Sequence, residues 1–371
     1  MREAPPGHRA RMPTTRTLGV EEELLLVDPG TGRLTAVAEH AVRANDGGAE
    51  VEKELFLQMI ETSTPPVTSA EELLEGLRRG RRAVGLAAAS AGVRAVAVPT
   101  PPLPAEAALT PTPRYRRIGE VYGELAQEAM VCAMHVHVDV ADDDEAVRVV
   151  DGVRPWLPLL LALSANSPYH HGVDTGHASW RSQVWGRWAS AGQAEPFGDL
   201  RTYREVAERT VEWGGALDAG MLYFDARPAA SLPTAEIRVA DVCTDLDDAV
   251  LVALLARGLV AAAAEGPPPV AWRGDLLRVA TWRAARYGIA DALVHPVEQR
   301  LAPAREVFAA AVAHAREPLE ASGDLDLVTE GFERLVARGG GATRQRRVRE
   351  ERGDLSAVVE DLARRTEESW A

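Results

Sequence analysis

Met134-His135-Val136-His137-Val138-Asp139 is the stretch from which the rest of the chain is read. Side chains alternate between the two faces of a strand, so His135, His137 and Asp139 share one face. Val136, Val138 and Val140 fill the other, which suits packing on a helical layer. Two more stretches repeat the alternation. Gly19-Val20-Glu21-Glu22-Glu23 puts Glu21 and Glu23 on one face, and Thr234-Ala235-Glu236-Ile237-Arg238 groups Thr234, Glu236 and Arg238. Carboxylates crowded on one sheet face repel, and holding them there without cations is costly. The three stretches predict a metal-loaded catalytic sheet.

Outward from these strands, Asp28 to Gly32 reads as a turn, and Val51 to Glu61 as a second strand candidate. Ser69-Ala70-Glu71-Glu72 is a capping box opening a long helix that ends at Gly92. Val93 to Val98 is a short apolar strand, stopped by the proline cluster Pro99 to Pro113, a loop or lid. Pro113 to Gln127 reads as helix. Trp156 to Asn166 predicts a buried helix, and Ser167 to Ser179 a loop. Met221 to Arg227 pairs antiparallel with Thr234 to Val239. Beyond Asp241 the pattern is helical: Leu246 to Ala264, Arg273 to Tyr287, Pro296 to Arg316 and Arg344 to Arg364. Strands come early and helices late without βαβ alternation, so the class is α+β with an antiparallel sheet. Residues 1–16, rich in Arg and Pro, read as a disordered tail that is no signal peptide, and 17–371 as a single domain.

Composition narrows the chemistry. The 371 residues are 46% hydrophobic and 26% charged, an ordinary globular balance. The net charge of -14 argues against nucleic acid as a partner. The apolar run Trp156 to Ala165 is too short for a bilayer, so no membrane partner is expected. Cys132 and Cys243 make no disulfide framework, which suits a reducing compartment and a cytoplasmic location. Lys53 is the only lysine and follows Glu52, so there is no P-loop, and a pyridoxal Schiff base is disfavoured. Any nucleotide must be held by metal ions and arginines.

Plainer readings stand beside the catalytic ones. Glu21 to Glu23 also fits a solvated acidic run, although the apolar Leu24 to Val27 that follows suits a central strand. A lone strand histidine is usually structural, whereas His135, His137 and Asp139 on one face favour metal or phosphate. Glu236 and Arg238 fit a simple ion pair equally well. Asp174, His177, Ser179 and Arg181 sit in a loop before Trp185 to Trp188, where functional residues are common. The run Arg344 to Arg347 reads by default as a solvated helix start. A metal-dependent hydrolase or oxygenase using His135, His137 and an acid, with no nucleotide, is the competing function.

Taken together, Gly19 to Glu23, Glu61-Thr62, His135 to Val138, Ser179-Trp180-Arg181, Asp225-Ala226-Arg227-Pro228 and Thr234 to Arg238 resemble the glutamate–cysteine ligase type 2 family, the YbdK-like carboxylate–amine ligases. Trp282 to Gly288 and the closing Gly-Ala-Thr-Arg-Gln-Arg are similar to that family's C-terminal signatures. The resemblance implies a glutamine-synthetase-like curved antiparallel sheet with helices packed on its outer face. It implies ATP with Mg²⁺ or Mn²⁺ on the concave face, and an amide formed from a carboxylate and an amine (glutamate plus cysteine or another amine) through an acyl phosphate. Glu21, Glu23, Glu54, Glu61, His135 and Glu236 would be metal ligands. Arg238 would touch the nucleotide or the transferring phosphate, with Arg227 and Arg286 as further nucleotide contacts. Arg181 would hold the amino-acid carboxylate. The partners implied are small-molecule acid and amine substrates, and a second copy in a homodimer. Ala133 replaces a usual glycine, and Leu222-Tyr223-Phe224 stands where tryptophans are usual, near the expected substrate end.

Overall fold

A computed structural model describes residues 15–45, 51–266 and 270–371. Its main sheet has seven strands: β1 (Leu18–Val27), β2 (Val51–Lys53), β3 (Met59–Ser63), β4 (Arg94–Val96), β5 (Ala133–Asp139), β6 (Ala226–Pro228) and β7 (Thr234–Asp241). Their order is β2-β3-β1-β5-β7-β6, with β4 on the same side of β1 as β5, beyond the end of that pairing. Every pairing is antiparallel. β1 is central, as its closing Leu24 to Val27 suggested, and those four residues are buried.

Five helices cover one face: α1 (Ala70–Ser90), α2 (Asp143–Val153), α3 (Leu157–Ser164), α4 (Leu246–Glu265) and α5 (Leu355–Glu368). α1 and α5 touch β4, α2 and α3 touch β7, and α4 lies under β5 and β1. The even residues of β1 and β5 meet this layer, and Val20, Leu24, Leu26, Met134, Val136 and Val138 are buried there. Glu22 shares that face. Its carboxylate takes 2.6 and 2.8 Å hydrogen bonds from Arg81 of α1, whose Nη groups also donate to the carbonyls of Cys243 and Thr244. α4 is apolar all round because it also packs against α1, α2 and Leu325–Arg338.

The capping box holds: Ser69 Oγ accepts from the Glu72 N–H at 3.2 Å, and Glu72 accepts from the Ser69 N–H at 3.2 Å. Other expectations need correction. Val51 to Glu61 is two strands with a turn between, and only Ala226–Pro228 of the stretch near Met221 to Arg227 pairs with β7. Two expected helices are each a pair, broken at Gly123 and Gly353, whose φ values of +56 and +88 a side chain would resist. Of Pro296 to Arg316, Ala304–His314 is one helix and a second starts at Arg316. Sequence reading missed α2, Leu200–Glu212 and Leu325–Arg338. Met1 to Thr14 of the expected tail lie outside the described residues. Arg16, expected at its end, is anchored by 3.0 Å bonds to both Glu145 oxygens.

Among the described residues no helix is long and apolar enough to cross a membrane. α2 and α4 approach closely at Gly152, where an added Cβ would stand 2.7 Å from the Ala263 Cβ. Gly152→Val should therefore cost about 1–3 kcal/mol through overpacking. Urea unfolding measures it, and an unchanged midpoint would refute the close contact.

Candidate active site

The face opposite the helices gathers the acids. Register places Glu21 beside His135, Glu23 beside Glu61, and Glu236 beside His137. These four neighbouring strands aim their site-facing side chains into one hollow of about 250 Å³. Glu54 comes from the turn between β2 and β3, and the proline-rich segment fixes that turn. Thr110 donates its N–H to the Leu55 carbonyl at 2.9 Å and its hydroxyl to the Glu54 carbonyl at 2.6 Å. The Gln58 side chain meets the Glu106 carbonyl at 2.7 Å. The segment expected as a loop or lid is thus a strap beneath the Glu54 turn.

Two triads result. Ligand atoms of Glu21, His135 and Glu236 all lie within 4.8 Å of one another, and so do those of Glu23, Glu54 and Glu61. In the first, Glu21 Oε2 is 3.1 Å from His135 Nδ1, and its Oε1 is 3.2 Å from His137 Nε2. Burial works to raise the Glu21 carboxyl, but these two imidazoles hold it well below the usual range. Burial and the nearby Arg238 pull His135 down to about 4, so it is neutral at pH 7. Glu236 is buried yet lowered to about 2, because Arg238 and Arg227 flank it. Arg227 Nε donates to Glu236 Oε2 at 2.6 Å, and Arg238 Nη1 to Oε1. Arg227 is itself held by the carbonyls of Gly220 at 3.0 Å and Leu222 at 2.9 Å.

The second triad behaves oppositely. Burial and the Glu54 charge push Glu23 up to about 8, although the Ala133 N–H bonds it at 2.6 Å. Burial and Glu54 likewise raise Glu61 well above the normal range. Carboxyls so placed cannot all be ionised at neutral pH unless a cation joins them. An oxygen-rich set with a single imidazole fits Mg²⁺ or Mn²⁺ better than softer metals.

A second chamber of about 800 Å³ adjoins the hollow and shares Glu21, Glu61, His137, Ser231 and Leu232 with it. Asp139 faces this second chamber. His137 lies at the junction, with Nδ1 2.9 Å from Thr234 Oγ1, and belongs to neither triad. Arg181 and Arg286, expected at the acid and the nucleotide, line neither chamber. Arg181 is 2% exposed and donates to main-chain carbonyls, while Arg286 lies over the Tyr287 ring at 5.1 Å. Sequence reasoning did not single out Arg114 and Tyr115, which line the hollow's other wall with Trp185 and Tyr223. Arg114 makes a two-pronged pair with Asp218 at 2.8 and 3.0 Å. The departure at Tyr223 was a usable signal, since its ring lies 4.5 Å from Trp185 and 5.9 Å from the Arg238 guanidinium.

The family model described as glutamate-cysteine ligase family 2 matches residues 17–361. The chain belongs to this family. A relative from Nocardioides sp., named "Putative glutamate--cysteine ligase 2-1", is 47% identical, over 96% of this chain and 97% of that protein. One from Streptomyces coelicolor is 44% identical, over 95% and 99%. Among solved structures, a glutamate–cysteine ligase from Francisella tularensis in complex with AMP superposes with a TM-score of 0.73 at 12% identity, covering 96% of this chain and 89% of that one. A bifunctional glutathione synthetase from Pasteurella multocida gives 0.70 at 16%, covering 96% and 53%. At such identities the superpositions establish the fold, a curved antiparallel sheet of the ligase type with helices outside. The sequence likeness establishes a carboxylate–amine ligase, and the hydrolase or oxygenase reading is set aside.

Proposed function

We propose that the chain joins a carboxylate to an amine at the expense of ATP, in a γ-glutamyl-type reaction with glutamate and cysteine or another amine. The observation that carries this reading is the pair of acidic triads sharing one hollow with Arg227 and Arg238. A carboxylate oxygen attacks the γ-phosphorus and ADP departs. The amine nitrogen then attacks the acyl-phosphate carbonyl, phosphate leaves, and the amine's proton passes to water. Such transfer needs alignment and charge neutralisation more than a protein nucleophile, which a chain with one lysine can satisfy.

Glu21, His135 and Glu236 would hold one divalent ion, and Glu23, Glu54 and Glu61 another. Bound there, Mg²⁺ or Mn²⁺ supplies the positive charge that a triphosphate requires. Arg238, aimed by Glu236, offsets charge on the moving phosphoryl group, and Arg227 keeps Glu236 in place. The larger chamber suits the nucleotide. The smaller, walled by Arg114, Tyr115, Trp185 and Tyr223, suits the acid and the amine. Both cysteines are buried and free, in keeping with a cytoplasmic enzyme.

Glutamate screened against amines, with Mg²⁺ or Mn²⁺ and ADP release as readout, tests the proposal. No ADP from any acid–amine pair would sink it. Nucleotide binding should also require the metal. ATP at a hundred times its Kd should stabilise the fold by about 2.7 kcal/mol with Mg²⁺ present. With EDTA instead, the thermal midpoint should not move, and a shift of equal size would remove the triads from nucleotide binding.

A further inference from the structure

Arg181 lies behind the acidic face, and its surroundings give it a task. β5 and β7 lose register at one place: Met134 pairs with Ala240 but Val136 pairs with Ile237, so His135 stands opposite both Arg238 and Val239. This is a β-bulge, which breaks the ladder locally and re-aims a side chain. On the β6 side only the Arg238 N–H is covered, donating to the Asp225 carbonyl at 2.8 Å, and the pairing stops with Ala226 opposite Ile237. The Arg238 and Val239 carbonyls instead accept from Arg181, from Nη2 at 3.0 Å and from Nη1 at 3.2 Å. A planar guanidinium with two parallel donors suits adjacent carbonyls, and an ammonium reproduces it poorly.

Arg181 is held in turn. Its N–H donates to Ser167 Oγ at 3.0 Å, and the Ser167 and Ser179 hydroxyls donate to Asp241 at 2.7 and 2.8 Å. The Asn166 N–H reaches the same carboxylate at 2.9 Å, and Gln345 Nε2 donates to Asn166 Oδ1 at 2.8 Å. A buried chain of hydrogen bonds therefore runs from the C-terminal Arg344-Gln345-Arg346 stretch to the bulge that bears Arg238. These bonds tie the bulge to the C-terminal helices, although Arg181 Nε and Gln345 Oε1 are buried without a partner among the described residues.

We propose that Arg181 is a positioning residue: it holds the bulge, and the bulge sets where Arg238 meets Glu236 and the transferring phosphoryl group. The catalytic consequence rests on the ligase reading above. Arg181→Lys, Arg181→Gln, Arg238→Ala and the double variants are compared for ADP formation beside wild type. The expected result is a kcat loss of about tenfold for Lys and more for Gln, with the acid's KM within about twofold of wild type. In the double variants, Arg181 changes should add nothing to Arg238→Ala, because both act through one guanidinium.

A tenfold rise in acid KM at unchanged kcat, or losses that multiply in the double variant, overturns the proposal. Should Arg181→Gln fail to fold, Arg181→Lys carries the same readouts. A crystal structure of Arg181→Lys decides the matter without turnover: Arg238 should leave Glu236, and an unaltered bulge overturns the assignment. Wild-type protein that makes no ADP with any pair counts against the ligase reading alone.

Discussion

Glu236→Gln should lower ADP formation by about 10³-fold or more while the protein stays folded, because one carboxylate does three things at once. It completes the triad with Glu21 and His135, and it fixes both Arg227 and Arg238. Its ionised form is secured by those guanidiniums, which hold its carboxyl at about 2. The amide keeps the shape and can still accept a hydrogen bond, but it offers no charge to a divalent ion. Glu236→Gln therefore separates chemistry from folding better than alanine does. Steady-state ADP release measures the loss, with circular dichroism as the control for fold. Wild-type turnover in this variant would take Glu236 out of the site.

Arg81→Met should destabilise the protein by about 3–5 kcal/mol, since it strands a buried carboxylate. Arg81 and Glu22 side chains are 0% and 1% exposed, and Arg81 also satisfies the carbonyls of Cys243 and Thr244. The pair clamps α1 to the back of the strand whose front carries Glu21 and Glu23. Guanidinium-chloride unfolding should show the change as a lower midpoint with an unaltered slope. KM for ATP should stay put at temperatures where the variant is folded. A loss below about 1 kcal/mol, the range of exposed pairs, would mean that the pair is solvated in solution.

Much of this was legible in the chain because strands obey a period of two. Glu21, Glu23, His135 and Glu236 could be put on faces from spacing alone, and the capping box at Ser69 announced α1. Glu22 shows the limit: it sits within the acidic run, yet parity sends it to the helical face and into a buried ion pair. Helices were misjudged where one glycine with positive φ ends them, as at Gly123 and Gly353. Arg181 was misplaced because its motif says nothing about burial, and a guanidinium serves carbonyls as well as carboxylates. Glu54 could be found only by analogy, since it stands on a turn whose shape depends on Glu106 and Thr110 far along the chain.

The amino-acid order alone settled the α+β class, the facing of acids and imidazoles, and the lack of a P-loop motif, because these follow from local geometry and composition. Which strands stand side by side, that six ligand candidates divide into two triads, and that Arg181 supports a bulge were decided by the fold. Those relations join residues up to some two hundred positions apart, and only packing brings them within a few ångströms.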